Sequence, residues 1–287
     1  MARRLLIIGM IPFDSGKTQL AIRIGEHLVS QGEHVEYFKP LSGHNYWYKY
    51  QHTMKCIATG QLVSYDASRV RERVPSRVSP LLTNPVHTLF VPARLERPDK
   101  PYLNSLGFGG WDSFMVLQRF THADGEQERS TVLVARDLVE HRKVIITPDQ
   151  VHRLTAEAET VDVKSLEEAQ AYERANFDRA VESAFEVVES KADTILIESF
   201  NDSVWPWEGL THVDAVVLVG PGHAFMYDPE KMRRAALLVR RGTAPLREVT
   251  FLRVEDLLRP VESFHLSPET GLTDDQLDIL LKQSEKE

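Results

Sequence analysis

Gly16-Lys17-Thr18 is the place in this 287-residue chain where residue type and order most directly suggest chemistry. The tripeptide ends the stretch Gly9-Met10-Ile11-Pro12-Phe13-Asp14-Ser15-Gly16-Lys17-Thr18, just after the apolar run Leu5-Leu6-Ile7-Ile8. A strand, a glycine-bounded turn and a helix opening on Gly-Lys-Thr form the setting of a phosphate-binding loop. Backbone N–H groups at such a helix N-terminus point at phosphate oxygens, and the helix dipole favours negative charge there. Lys17 would set its ammonium on the terminal phosphates, and the Thr18 hydroxyl would ligate Mg²⁺. Asp14, Ser15, Gly16, Lys17 and Thr18 are therefore the nucleotide-binding candidates. The spacing is unusual: the common pattern has its first glycine five residues before the second, whereas Ile11 stands there and Gly9 lies further back.

Two further places supply partners for such a loop. Residues 34–38 are expected as a second strand, followed by Lys39-Pro40-Leu41-Ser42-Gly43-His44. A strand–helix–strand unit puts both strand ends at one sheet edge, where α/β sheets bind ligands, so Lys39 and residues 42–45 should emerge beside the loop. Thr194-Ile195-Leu196-Ile197-Glu198 reads as a buried strand ending in a carboxylate. That is the arrangement of a Walker B acid near Mg²⁺.

The elements that would carry these residues follow from periodicity. Residues 17–30 place Leu20, Ile24 and Leu28 at helical spacing, stopped by Gln31-Gly32. Residues 53–73 read as mainly helical, with Asp66 open to either an N-cap or a functional role. The segment 86–164 changes character: 114–121 and 130–135 flank Asp124-Gly125 as a hairpin, with 143–147 and 160–163 as further strand-like pieces. Leu106 to Trp111 would be an entrance loop. A long amphipathic helix over 166–191, strands at 215–219 and 248–253, and helices at 230–240 and the C-terminus complete the expectation. The fold class is α/β, with a nucleotide-binding domain over 1–85 and 165–287 and a β-rich insertion over 86–164.

Composition narrows the classes. Hydrophobic residues make up 42% and charged residues 26%, enough apolar material for a sizeable core. A net charge of −8 gives no overall basic footprint for duplex nucleic acid. The single cysteine, Cys56, excludes an internal disulfide and a cysteine-rich zinc site. No run approaches the roughly 18 apolar residues that span a bilayer, and residues 5–8 are too short for a signal segment. A cytoplasmic protein without membrane association is expected.

The Gly-Lys-Thr loop, Lys39-Pro40-x-Ser42-Gly43 and the strand ending in Glu198 come in the order and spacing of dethiobiotin synthetase and its relatives, and the chain resembles that P-loop family over residues 3–45 and 193–222. The resemblance implies a three-layer P-loop sandwich with a mostly parallel sheet, ATP and Mg²⁺ as cofactors, and a homodimer. It implies Thr18, Asp66 and Glu198 as metal ligands and Lys17 and Lys39 as the catalytic lysines. Substrate contacts would come from Lys39, Ser42, Gly43 and His44. The family's Glu-Gly-Ala-Gly-Gly is replaced by Glu198-Ser199-Phe200-Asn201-Asp202, whose side chains fill space that the glycines leave open, so a different acceptor is implied.

The expected activity is Mg²⁺-dependent ATP hydrolysis or phosphoryl transfer to a small carboxylate or carbamate. Two alternatives stay open. Asp14 to Thr18 is similar to the loops of polynucleotide 5′-hydroxyl kinases, with Tyr46 to Tyr50 and Arg69, Arg71, Arg73 and Arg77 to hold a single strand. A nucleotide-dependent switch would use 86–164 to dock a protein partner.

Overall fold

The computed structural model describes residues 2–96, 113–125, 127–267, 269 and 271–283. The expected entrance loop, Leu106 to Trp111, lies outside them. Along the chain run β1 (Arg3–Gly9), α1 (Lys17–Ser30), β2 (Val35–Phe38), β3 (Leu41–Asn45), α2 (Tyr50–Thr59), α3 (Tyr65–Arg71), α4 (Pro80–Thr83) and β4 (Val86–Val91). Then come β5 (Phe114–Asp124), β6 (Gln127–Val134), α5 (Arg136–Glu140), α6 (Pro148–Thr155), β7 (Glu159–Asp162) and α7 (Leu166–Glu189). The C-terminal third holds β8 (Thr194–Glu198), β9 (Ala215–Gly220), β10 (His223–Tyr227), α8 (Pro229–Val239), β11 (Glu262–His265) and α9 (Asp274–Gln283).

The chain is α/β, and the described residues form two mixed sheets in two compact units. The first unit comprises Met1–Leu41, Asp66–Ser79 and Phe185–Glu287. Its sheet has the order β11-β10-β9-β1-β8-β2. The pairs β9–β1, β1–β8 and β8–β2 are parallel, while β10 runs antiparallel to both β9 and β11. Every residue of β8 and β9 is buried, the mark of strands covered on both faces. Leu5 and Ile7 pack in one cluster with Leu20, Ile24 and Leu28 of α1, Val70 of α3, Val74 just after it, and Leu277 and Leu280 of α9. The alternate residues, Leu6 and Ile8, are fully buried too. Beside β2, Phe38, Phe185 and Trp207 form a mutual ring contact with centroids 5.0–5.7 Å apart.

The second unit comprises Ser42–Tyr65 and Pro80–Ala184, so residues 86–164 are only part of it. Its sheet, β3-β4-β5-β6-β7, is antiparallel from β4 to β6 and parallel between β6 and β7. The expected hairpin is there, with Gly125 at φ 63° taking the left-handed turn position. Arg119 of β5 is fully buried and donates to the carbonyls of Leu62, Leu81, Asn84 and Pro85. Burial pulls its guanidinium down to about 9, still cationic at neutral pH.

Several sequence expectations need correction. Residues 42–45 are strand β3 and not a loop, because β4, far along the chain, supplies a pairing edge. Residues 143–147 make one bridge, Val144 with Ala93, before Thr147 caps α6 in a capping box with Gln150. Residues 248–253 are 3-10 turns: the Val249, Arg253 and Val254 amides bond to Leu246, Thr250 and Phe251 carbonyls nearby. The helix expected over 53–73 breaks at Gly60, which caps α2 with φ 72°. The β10 and β11 strands had no counterpart in the sequence reading.

Candidate functional site

Register in the first sheet assembles the site. Ile7 of β1 lies opposite Glu198 of β8, and Phe38 of β2 lies opposite Ile197. Three parallel strands therefore end together, and the residues after them converge: the loop after Gly9, Lys39 after β2, and Glu198 with the turn behind it. The loop reaches α1 through Asp14 and Gly16, both at positive φ (53° and 97°), and no side chain caps the helix N-terminus.

Lys17 folds back across this loop. Its Nζ donates to the Asn201 carbonyl at 2.6 Å and to Ser15 Oγ at 3.2 Å. Asn201 itself holds φ 50°, which turns that carbonyl toward the lysine. Gly9 is needed here: a Cβ on it would lie 2.8 Å from the Asn201 oxygen, from Lys17 Nζ and from Ser15 Oγ. Burial lowers the Lys17 ammonium, and the charges of Glu198, Asp66 and Asp202 oppose that while Lys39 adds to it.

Glu198, 1% exposed, is the hub. Its Oε1 accepts from Lys39 Nζ at 2.6 Å and from Thr18 Oγ1 at 3.1 Å, and its Oε2 accepts from the Tyr37 hydroxyl at 2.8 Å. Lys39 Nζ also donates to Asp66 Oδ2 at 2.6 Å. Burial alone would depress the Lys39 ammonium, but Glu198 and Asp66 outweigh it and hold it above its usual range. For Asp66, burial would raise the carboxyl and Lys39 more than offsets it, leaving it below the usual range. Burial and then Glu198 push the Tyr37 phenol well up, so it stays a donor. The Ser199 hydroxyl, next in the chain, is fully buried with no hydrogen-bond partner among the described residues.

Of the residues singled out from sequence, Thr18, Lys39, Asp66 and Glu198 thus meet in one hydrogen-bonded network, Lys17 with Ser15 forms a second that feels the charges of the first, and Asp14 and Gly16 shape the loop backbone. Ser42, Gly43 and His44 belong to the second unit. Ser42 Oγ lies 2.9 Å from Asn84 Oδ1 and 2.5 Å from His87 Nδ1. His44 lies 2.7 Å from His87 Nε2 and 3.1 Å from Thr53 Oγ1. A Cβ on Gly43 would sit 2.8 Å from the Phe90 ring. All three belong to the packing of β3 on β4. Sequence reasoning missed Tyr37 and the Asn201 carbonyl. Tyr37 had a signal, because it stands two residues before Lys39 and so faces the same side of the strand. The carbonyl had none.

The oxygens of Thr18, Asp66 and Glu198 are hard donors of the kind Mg²⁺ takes. Among the described residues no cluster of three or more His, Cys, Asp or Glu forms a self-sufficient metal site. No protein-family model, no curated protein and no solved structure matches this chain. Among the described residues no helix is long and apolar enough to cross a membrane.

Proposed function

We propose that this chain is a Mg²⁺-dependent, ATP-using P-loop enzyme that transfers a phosphoryl group to a small carboxylate or carbamate. The reading follows the plan of dethiobiotin synthetase with a different acceptor. The observation that carries it is the hydrogen bond from Thr18 of the loop to Glu198 of a neighbouring parallel strand, with the adjacent Lys17 ammonium within reach of the same carboxylate's charge. A P-loop sandwich with a mostly parallel sheet is the finer fold reading, supported by the parallel run β9-β1-β8-β2 buried on both faces.

In this account the uncapped N-terminus of α1 and the Lys17 ammonium bind the terminal phosphates. Lys17 leaves the Asn201 carbonyl to do so. Thr18, Asp66 and Glu198 would hold Mg²⁺, which supplies charge neutralisation on the transferring phosphoryl. An acceptor oxygen attacks the γ-phosphorus, the bond to the β–γ bridging oxygen breaks, and ADP leaves. Ile11 and Phe13 of the loop, 38% and 72% exposed, are available to an acceptor.

The test is ADP release from ATP and Mg²⁺, with small carboxylates and amines plus bicarbonate added in turn. A stimulated rate that disappears in Lys17→Ala supports the reading, and an unchanged rate in that variant removes it. A polynucleotide 5′-hydroxyl kinase is a second reading, favoured by the exposure of Trp47, Tyr48 and Tyr50 (66%, 71% and 50%). Against it, Arg71 is tied to the Val78 carbonyl and Arg73 to Glu26. Salt-dependent binding of a short oligonucleotide would favour the kinase.

A further inference from the structure

Lys39 is peculiar in where its charge sits. Its Nζ lies 2.6 Å from Glu198 Oε1 and 2.6 Å from Asp66 Oδ2, two oxygens of the donor set that suits a divalent ion. The third, Thr18 Oγ1, is 3.1 Å from the same Glu198 oxygen. An ammonium 2.6 Å from both oxygens competes with a divalent cation for the space between them, and the two positive charges repel.

The charge around the site points the same way. Lys17 and Lys39 face Glu198, Asp66 and Asp202, so the carboxylates are already largely balanced. A divalent ion added alone would leave excess positive charge in a buried place, whereas a triphosphate arriving with it brings the negative charge that offsets both. Lys39 can follow that charge, since its flexible four-carbon stem lets the ammonium turn.

Resting on the nucleotide-site reading above, we infer that Lys39 is the resident counter-ion of the Glu198–Asp66 pair and excludes Mg²⁺ from it until a nucleotide draws the ammonium away. Metal and nucleotide then enter together, and free Mg²⁺ does not load the empty enzyme. Lys39 acts here as a positioning residue whose departure opens the metal's place.

Mn²⁺ in place of Mg²⁺ makes the exclusion measurable without turnover, through the electron paramagnetic resonance of the free ion. In the absence of nucleotide, wild type and Lys39→Arg should bind Mn²⁺ weakly, and Lys39→Gln at least tenfold more tightly. A non-hydrolysable ATP analogue should bring wild type close to Lys39→Gln. In chelator Lys39→Gln should melt below wild type, and Mn²⁺ should raise its melting temperature more, because the ion replaces the lost ammonium. Equal Mn²⁺ affinity in folded wild type and Lys39→Gln would overturn the inference. So would a Lys39→Gln chain that Mn²⁺ fails to restore to the folded state. ATP-analogue binding, measured by calorimetry with Mg²⁺ present, separates the two ideas: lost metal behaviour with retained analogue binding sinks only the role of Lys39. Tighter Mn²⁺ binding by Lys39→Gln with no analogue binding sinks the nucleotide reading.

Discussion

Glu198 is a carboxylate that the fold has buried and then surrounded with donors, and each donor should be worth a measurable amount. Tyr37→Phe removes the bond to Oε2 without changing shape and leaves that charged oxygen one donor short. A hydrogen bond to a charged group contributes about 1.5–3 kcal/mol, so a loss of about 2 kcal/mol is expected in urea unfolding. A midpoint equal to wild type would mean that water or another donor replaces the phenol. Arg119 makes the same argument in the second unit. Arg119→Met strands several buried carbonyls at once, and a loss of about 3–5 kcal/mol is expected, read as an earlier urea transition. The chemistry of these residues was unevenly legible in the sequence. Lys39 and Glu198 stood out as charges at strand ends and Lys17 and Thr18 as the opening of a helix after a glycine turn, while Asp66, inside α3, was open to an N-cap role as well. The Asn201 carbonyl that holds Lys17 could not, because backbone oxygens have no letter in the sequence.

At the scale of elements, two glycines in the first unit mark surfaces that touch. Gly25 of α1 meets Val74 so closely that an added Cβ would be 2.5 Å from Val74 Cγ2. Gly25→Ala should therefore destabilise by about 1–3 kcal/mol through overpacking, visible as a lower urea midpoint with helix content unchanged by circular dichroism. Gly9→Ala acts on the loop instead. Its Cβ displaces the Asn201 carbonyl or Lys17 itself, and nucleotide affinity should fall at least tenfold by calorimetry while the fold survives. The elements that sequence showed best were those with strong local patterns: α1 over Lys17–Ser30, β8 ending at Glu198, and the hairpin around Asp124-Gly125. Two of those it misread depend on distant partners. Residues 42–45 became β3 only because β4 lies beside them, and β11 pairs with β10 across more than thirty intervening residues, whereas β10 folds back on β9 through the local turn Pro221-Gly222, a hairpin the sequence did carry. Periodicity sees a strand's own faces and not the edge that will accept it.

At the scale of the chain, the −8 net charge disfavours broad nucleic-acid binding but does not by itself oppose a small anion, which Lys17 and the uncapped amides of the α1 N-terminus can meet locally. A ligand held by Lys17, Thr18 and the α1 N-terminus should also stabilise the first unit that carries them. At a hundred times its dissociation constant, such a ligand contributes about 2.7 kcal/mol, so ATP with Mg²⁺ should raise the melting temperature and inorganic sulfate should do so less. The central claim is that Gly9 to Thr18 is a nucleotide site completed by Glu198. Calorimetric titration of ATP with Mg²⁺ into wild type and Lys17→Ala tests it most directly. Saturable one-to-one binding by wild type, weakened at least tenfold in Lys17→Ala, is the predicted result. Absent binding in wild type, or equal affinity in the folded variant, would contradict it.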